Sequence, residues 1–287
     1  MHRFDAYCCQ PIRNERKIGV NIDLFEVRSV LFLPASNPRA IAKARESEAD
    51  LVVLDLEDAV KPADKAEARD AAVEAVKSGW PMPVAIRVNG VGTDWHALDV
   101  EAVARSDADL AVLPRAASAH LAREAREAIG KPLLAMVETA TGVLAAPAIA
   151  HEVAALIAGT NDLSADLRLP AGAGRPPLQM ALQTVVVAAR AAGIAAFDGV
   201  FNQLTDLEGF AAEAEEGRRL GFDGKSLIHP DQIAPCNRAF GPSEAEVERA
   251  RRLVEAFGGG AERFDDQMIE RMHVEAAKKV LERAGQR

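Results

Sequence analysis

Eight short apolar runs, each followed by a helically patterned stretch, constrain this chain more than any other feature. They are VLFLP at 30–34, LVVLDLE at 51–57, VAIRVN at 84–89, LAVLPR at 110–115, LLAMVE at 133–138, ALIAGT at 155–160, IAAFDG at 194–199 and KSLIH at 225–229. Successive runs begin about 20 to 40 residues apart, room for a strand, a helix and a return loop. Helix start signals fall between them. Asn37-Pro38 places an N-cap before a proline at the first helical position, and Ser118 caps a helix that Gly130 ends. Thr205 with Glu208, and Ser243 with Glu246, have capping-box spacing. Strand alternating with helix eight times predicts an α/β chain folded as a (β/α)8 TIM barrel. The competing open doubly wound sheet lacks its Gly-rich dinucleotide fingerprint after the first run.

A barrel gathers the residues at the C-terminal ends of its strands into one mouth, where barrel enzymes do their chemistry. Asp55, Glu57 and Asp58 follow the second run, Arg87 and Asn89 the third, and Arg115 the fourth. Glu138 follows the fifth, Asp162 the sixth, Asp198 the seventh and His229 the eighth. Glu138 and Asp162 end successive strands, so they are expected side by side on the rim. Two oxygen donors with room for water and substrate suit Mg²⁺, while a cap or a lysine partner is the alternative for each. Arg87 sits in an apolar strand, where its charge requires an anion. That anion is either a substrate carboxylate or one of the acids in DLED. Asp55 and Glu57 are expected on one face by strand alternation, with Asp58 in the loop. Glu57 and Asp58 are assigned to orienting Arg87 or to holding metal-bound water. His229, followed by Pro230, reads as a turn residue in preference to a general base, and His96 and Trp95 carry no spacing signal.

The flanks differ from this core. Residues 1–27 lack sustained periodicity and the apolar centre of a secretory signal, and read as a loosely ordered leader. Residues 28–257 are the expected catalytic barrel, and 258–287 a hinge at Gly258-Gly259-Gly260 followed by a helical lid. The net charge of −9, with no basic block, argues against a nucleic-acid partner. No apolar run reaches the roughly 18 residues of a membrane span. Three cysteines, Cys8, Cys9 and Cys236, form neither a disulfide framework nor a metal-ligand spacing, so a cytoplasmic location is expected.

RSVLFLPASNPR, VVLDLEDAV, AIRVNG, VETATG, GTNDL and GFDGKSLIHPDQI occur in this order over about residues 28–257. In that ordered set the chain resembles the citrate lyase beta-subunit-like family, within the aldolase/citrate lyase superfamily that includes malyl-CoA and citramalyl-CoA lyases. The resemblance implies a barrel assembled as a homotrimer or hexamer, with Mg²⁺ held by Glu138 and Asp162. It implies that Arg87 binds the keto or hydroxy acid, and Asn89 beside it is expected to contact the same substrate. The implied reaction cleaves or forms a C–C bond beside a CoA thioester, such as malyl-, citramalyl- or citryl-CoA, by a retro-Claisen route. The alternatives are a CoA-independent keto acid aldolase, a malyl-CoA-type thioesterase, or a citrate lyase beta subunit acting with an acyl carrier protein. CoA-dependent relatives carry a catalytic aspartate in a C-terminal segment, often delivered to a neighbouring subunit. Here FDDQMIERM puts Glu270 at that place. Two further departures are Thr141, where relatives keep an arginine, and Thr160-Asn161 before Asp162, where they keep Pro- or Ala-Glu.

Overall fold

The computed structural model describes residues 22–77 and 79–285, and the eight runs form one closed barrel of parallel strands. In chain order these are β1 (Ser29–Pro34), β2 (Leu51–Asp55), β3 (Val84–Arg87), β4 (Leu110–Leu113), β5 (Leu133–Val137), β6 (Ala155–Ala158), β7 (Ala195–Asp198) and β8 (Gly224–Leu227). β8 pairs back onto β1, Val30 beside Ser226, which closes the ring. The crossovers hold α1 (Pro38–Arg45), α2 (Lys65–Lys77), α3 (His96–Arg105), α4 (Ala119–Ile129), α5 (Ala140–Ala150), α6 (Thr160–Asp166), α7 (Gln179–Ala192) and α8 (Leu207–Leu220). After β8 come α9 (Ile233–Phe240) and α10 (Glu244–Ala256).

Alternate strand residues face opposite ways, so each strand serves two cores. Val52, Leu54, Ile86, Leu113, Leu133 and Ala135 pack outward under the helices. Val30, Phe32, Leu51, Val53, Ala85, Val112, Leu134, Met136, Ile157 and Phe197 fill the barrel. Two-residue steps along the inner set run from Val53 to Asp55, from Ala85 to Arg87 and from Met136 to Glu138. Strand periodicity alone therefore aims these three side chains into the mouth.

Asn37 and Ser118 cap α1 and α4 through their side chains, and Ser243 and Glu246 form a full capping box on α10. The start of α8 differs from expectation. Asp206, not Thr205, takes the N-cap position, its carboxylate accepting the Gly209 N–H at 2.8 Å. A carboxylate there also meets the positive end of the helix dipole, which the Thr205 hydroxyl would not.

Asp198 does not reach the mouth. It faces outward from β7, wholly buried under α8, where Gly217 leaves room for its carboxylate. Lys225 Nζ donates to it at 3.0 Å and to Glu213 at 2.8 Å, while Arg175 reaches it at 2.9 Å. Lys225 has no solvent exposure, so this network is a buried ionic lock between β7, β8, α8 and the loop before α7.

The expected leader, 1–27, falls for residues 1–21 outside the described residues. Residues 22–27 belong to the barrel. Leu24–Glu26 form a single 3-10 turn, and Val27 packs into the barrel interior with Ile22 and Leu24 against it. The C-terminal segment also differs from a hinged lid beginning at 258. Ala250 and Leu253 of α10 share a small core with Ile269, Val274 and Ala277. The intervening chain is a hairpin of β9 (Glu262–Phe264) and β10 (Gln267–Ile269), followed by α11 (Arg271–Gly285). The unit therefore starts at α10. Arg283 near its end donates to the Phe25 carbonyl at 2.8 Å and pairs with Glu26 at 3.1 Å, anchoring it to the turn that plugs the base of the barrel.

Breaking a buried ion pair by removing one partner costs about 3–5 kcal/mol. With Arg175 still facing Asp198, Lys225→Ala is expected to lower the unfolding free energy by about 3 kcal/mol in denaturant titration. A loss under about 1 kcal/mol would show that Arg175 alone neutralises Asp198.

Candidate active site

Arg87 organises the mouth. Its Nε and Nη2 donate to the two oxygens of Asp55, both at 2.6 Å, a two-pronged pair of which both members are buried. Its Nη1 lies 2.9 Å from Glu57 and 3.5 Å from Asp58, and 3.6 Å from the Met136 sulfur. Burial opposes the guanidinium charge, but Asp55, Glu57 and Asp58 outweigh it and raise its pKa. β2 ends at Asp55, so Glu57 reaches Arg87 from the loop and not from the strand. Asp55 itself shapes that loop by accepting the backbone N–H of Glu57 at 2.8 Å and of Ala59 at 3.0 Å.

Glu138 is 1% exposed at the end of β5. Its Oε1 accepts the Arg115 backbone N–H at 2.5 Å, and Arg115 presents that N–H from a left-handed conformation, φ 49°. Arg115 Nη1 also lies 3.4 Å from Asp162, so one residue touches both carboxylates. Gly159 completes the setting, since a Cβ there would collide with the Glu138 side chain. Burial pushes the Glu138 carboxyl up to about 7, the Arg115 N–H opposing and Asp162 adding. Burial pushes Glu57 up to about 8, opposed by Arg87 and reinforced by Asp58, Glu138 and Asp55.

Asp55, Asp58, Arg87, Glu138 and Asp162 line a mouth cavity of about 340 Å³, while Glu57 and Arg115 touch members of this set without lining it. Phe32, Met136, Val200 and Ile228 give it apolar walls, and Ser226 lies among them. A larger groove of about 890 Å³ runs between α1 and α2 and holds none of these groups. Among the described residues no group of three or more His, Cys, Asp or Glu converges as a ligand set. Glu138 and Asp162 therefore offer a partial shell, which fits a hard cation that keeps water and substrate oxygens. A buried carboxyl pushed toward 7 by desolvation is also one that a cation would stabilise as its anion.

Other expected site residues lie elsewhere. Asn89 is buried, its side-chain amide donating to Asp99 at 2.6 Å and its carbonyl 2.7 Å from His96 Nδ1. It joins β3 to α3 and does not line the cavity. Glu270 follows β10, exposed, with its backbone N–H on His273 Nδ1 at 2.9 Å, and is likewise absent from the cavity wall. His229 caps the Pro230–Gln232 turn by accepting the Asp231 N–H.

The HpcH/HpaI aldolase/citrate lyase family matches residues 28–230, the span of the barrel and its mouth. The chain belongs to that family. It is thus an enzyme, a lyase of the aldolase/citrate lyase group. It is 40% identical over 269 residues to a (3S)-malyl-CoA thioesterase of Cereibacter sphaeroides, covering 90% of this chain and 94% of that one. It is 34% identical to the citrate lyase subunit beta of Escherichia coli K12, covering 90% and 93%. Among solved structures, CitE of Mycobacterium tuberculosis in complex with magnesium, acetoacetate and coenzyme A superposes with a TM-score of 0.82 at 34% identity, covering 91% of this chain and 100% of that one.

Several members of this lyase's mouth carry no signal that residue type alone reveals. Lys65, from the first turn of α2, donates to the Leu56 and Glu57 carbonyls at 2.7 and 2.6 Å and lies over the Trp95 ring at 5.2 Å. It pins the acidic loop from behind. Its place nine residues after Leu56 was visible, but only the fold turns it inward. The Arg115 contribution is a backbone N–H, which no side-chain pattern records. Gly159 announces itself only once β5 and β6 are neighbours.

Arg87→Lys keeps the charge but loses the fork that grips both Asp55 oxygens. Hydrogen bonds to charged groups contribute about 1.5–3 kcal/mol, so a loss of about 2 kcal/mol is expected in chemical denaturation. Wild-type stability in that variant would show that one prong suffices.

Proposed function

We propose that this protein is a Mg²⁺-dependent carbon–carbon lyase of 2-hydroxyacyl-CoA thioesters, such as malyl-, citramalyl- or citryl-CoA, giving an acyl-CoA and a 2-keto acid by a retro-Claisen route. The observation that carries this reading is the pairing of Glu138 and Asp162 through Arg115 beside a buried, carboxylate-held Arg87 in one cavity. Neighbours complexed with magnesium and acetoacetate or oxaloacetate support it.

Glu138 and Asp162 would hold the cation, which when bound supplies Lewis acidity to oxygens of the hydroxy acid. Arg87 would orient the acid and offer positive charge where the cleaved oxygen gains electron density. Glu57 and Asp58 hold Arg87 in that direction, at 2.9 and 3.5 Å. Phe32, Met136 and Val200 give the same space an apolar wall against which the substrate skeleton would pack. Glu270 would return a proton to the enolate carbon, and its exposure between Met268 and Met272, 69% and 68% exposed, suits delivery to a neighbouring copy in a trimer or hexamer.

A second reading is a malyl-CoA thioesterase, favoured by the Cereibacter sphaeroides relatives at 39–40% identity against 33–35% for the citrate lyase beta relatives. A subunit acting with an acyl carrier protein is the reading that those beta-subunit relatives support. One assay separates them. Malyl-, citramalyl- and citryl-CoA are incubated with Mg²⁺ while keto acid and free thiol are both followed. Keto acid without thiol is the expected result, abolished in Glu138→Gln, with Glu270→Ala slower in turnover but not in substrate binding. Thiol release without keto acid would replace the lyase by the thioesterase, and silence on all three would favour a carrier-bound substrate.

A further inference from the structure

Beneath the polar rim, the inner strand positions that fill the barrel are apolar, with Val30, Phe32, Val53, Val112, Leu134, Met136, Ile157 and Phe197 among them. β8 breaks the pattern. There the inner residue is Ser226, 1% exposed, and its Oγ has no hydrogen-bond partner among the described residues. An unpartnered buried hydroxyl costs about 1–3 kcal/mol, and alanine at this place would avoid it. Ser226 also lines the mouth cavity, beside Phe32, Met136 and Val200. Arg87, by contrast, already has Nε and Nη2 on Asp55 and Nη1 facing Glu57 and Asp58. The serine is a cavity-lining donor whose hydroxyl proton has no acceptor among the described residues, and it reorients among staggered positions to meet one.

Its place on the ring says which part of a ligand it meets. Neighbouring strands lie about 4.8 Å apart, so β8, two places from β6 on the closed ring, is roughly 9 Å from it, and Asp162 stands beyond β6 in the first turn of α6. That separation exceeds one carboxylate group. A small molecule anchored at Glu138 and Asp162 would therefore offer Ser226 its opposite end.

We propose that the Ser226 hydroxyl donates a hydrogen bond to the acyl oxygen of the substrate, the carbonyl at the far end of the 2-hydroxy acid skeleton from Glu138 and Asp162. The assignment rests on the lyase reading above and adds to it a specificity-determining contact. In the cleavage the bond between C2 and C3 breaks, and its electron pair moves into a C3–C4 double bond as the acyl oxygen becomes an enolate oxygen. The 2-hydroxyl proton leaves to a rim carboxylate while C2–O becomes a carbonyl, and C3 later takes a proton from the acid assigned to Glu270. Charge thus arrives on the oxygen that Ser226 faces. A donor fixed in apolar surroundings acts more strongly on an oxyanion than on the neutral carbonyl, so the contact favours the transition state.

The test uses the full-length protein with Mg²⁺ and two stable acids, (S)-malate and (S)-2-hydroxybutyrate. They are identical at the hydroxy acid end and differ at the far end, a carboxylate against a methyl group. By calorimetry, Ser226→Ala is expected to weaken malate about 10-fold while changing 2-hydroxybutyrate less than about twofold, and Ser226→Thr should retain malate binding. In turnover of malyl-CoA the alanine variant should lose kcat more than it raises KM. Equal weakening of both acids, or unchanged malate binding, would overturn the contact. Wild-type protein that binds neither acid would overturn the lyase reading beneath it. Wild type binding both, Glu138→Gln binding neither and Ser226→Ala unchanged would overturn Ser226 alone.

Discussion

The mouth of this barrel depends on a single charge placed where a barrel interior is otherwise apolar. Arg87 continues the inner face of β3, and without an anion its burial would be prohibitive. Asp55, the matching inner residue of β2 and its partner in strand register, supplies both oxygens. Because Asp55 also accepts the Glu57 and Ala59 N–H groups, the same carboxylate that neutralises Arg87 bends the chain after β2. That bend brings Glu57 and Asp58 to the third nitrogen of the guanidinium, and Lys65 holds it from the other side through two carbonyls.

A second carboxylate system stands across the cavity on different terms. Glu138 receives a backbone N–H and, among the described residues, no ion-paired side chain, so burial outweighs the distant Arg87 charge and pushes it up to about 7. The asymmetry is chemically useful. One acid is spent on fixing an arginine, and the other is left underpaid for its burial beside the half-exposed Asp162. An oxygen-seeking cation supplies what Glu138 lacks, and a substrate oxygen completes such a cation's shell.

The sequence made the barrel legible because its signals are local: apolar runs of strand length, caps such as Asn37 and Ser118, and recurring spacing. The rim was legible for the same reason, since strand ends must converge. Inward or outward aim was harder to read. Asp198 and Arg87 both end apolar strands, yet one step of parity sends Asp198 under α8 to Lys225 and Arg87 into the mouth. Asn89 follows Arg87 by two residues, which suggests the same inward aim, but the chain has by then left the strand and the amide turns to Asp99. The small C-terminal core draws on Ala250 and Leu253, residues before the glycines that look like a hinge, and such packing leaves no local mark in the sequence. Glu270 stands outside the cavity of its own chain, so the role proposed for it requires a neighbouring copy.

The central claim is that Glu138 and Asp162 form a divalent-cation site opposite the Arg87–Asp55 pair. The most direct measurement is anomalous diffraction from crystals grown with Mn²⁺ in place of Mg²⁺. The account predicts one strong anomalous peak within bonding distance of carboxylate oxygens of both Glu138 and Asp162. A mouth without a peak, or a peak on Glu57 and Asp58 that leaves Glu138 bare, would contradict it.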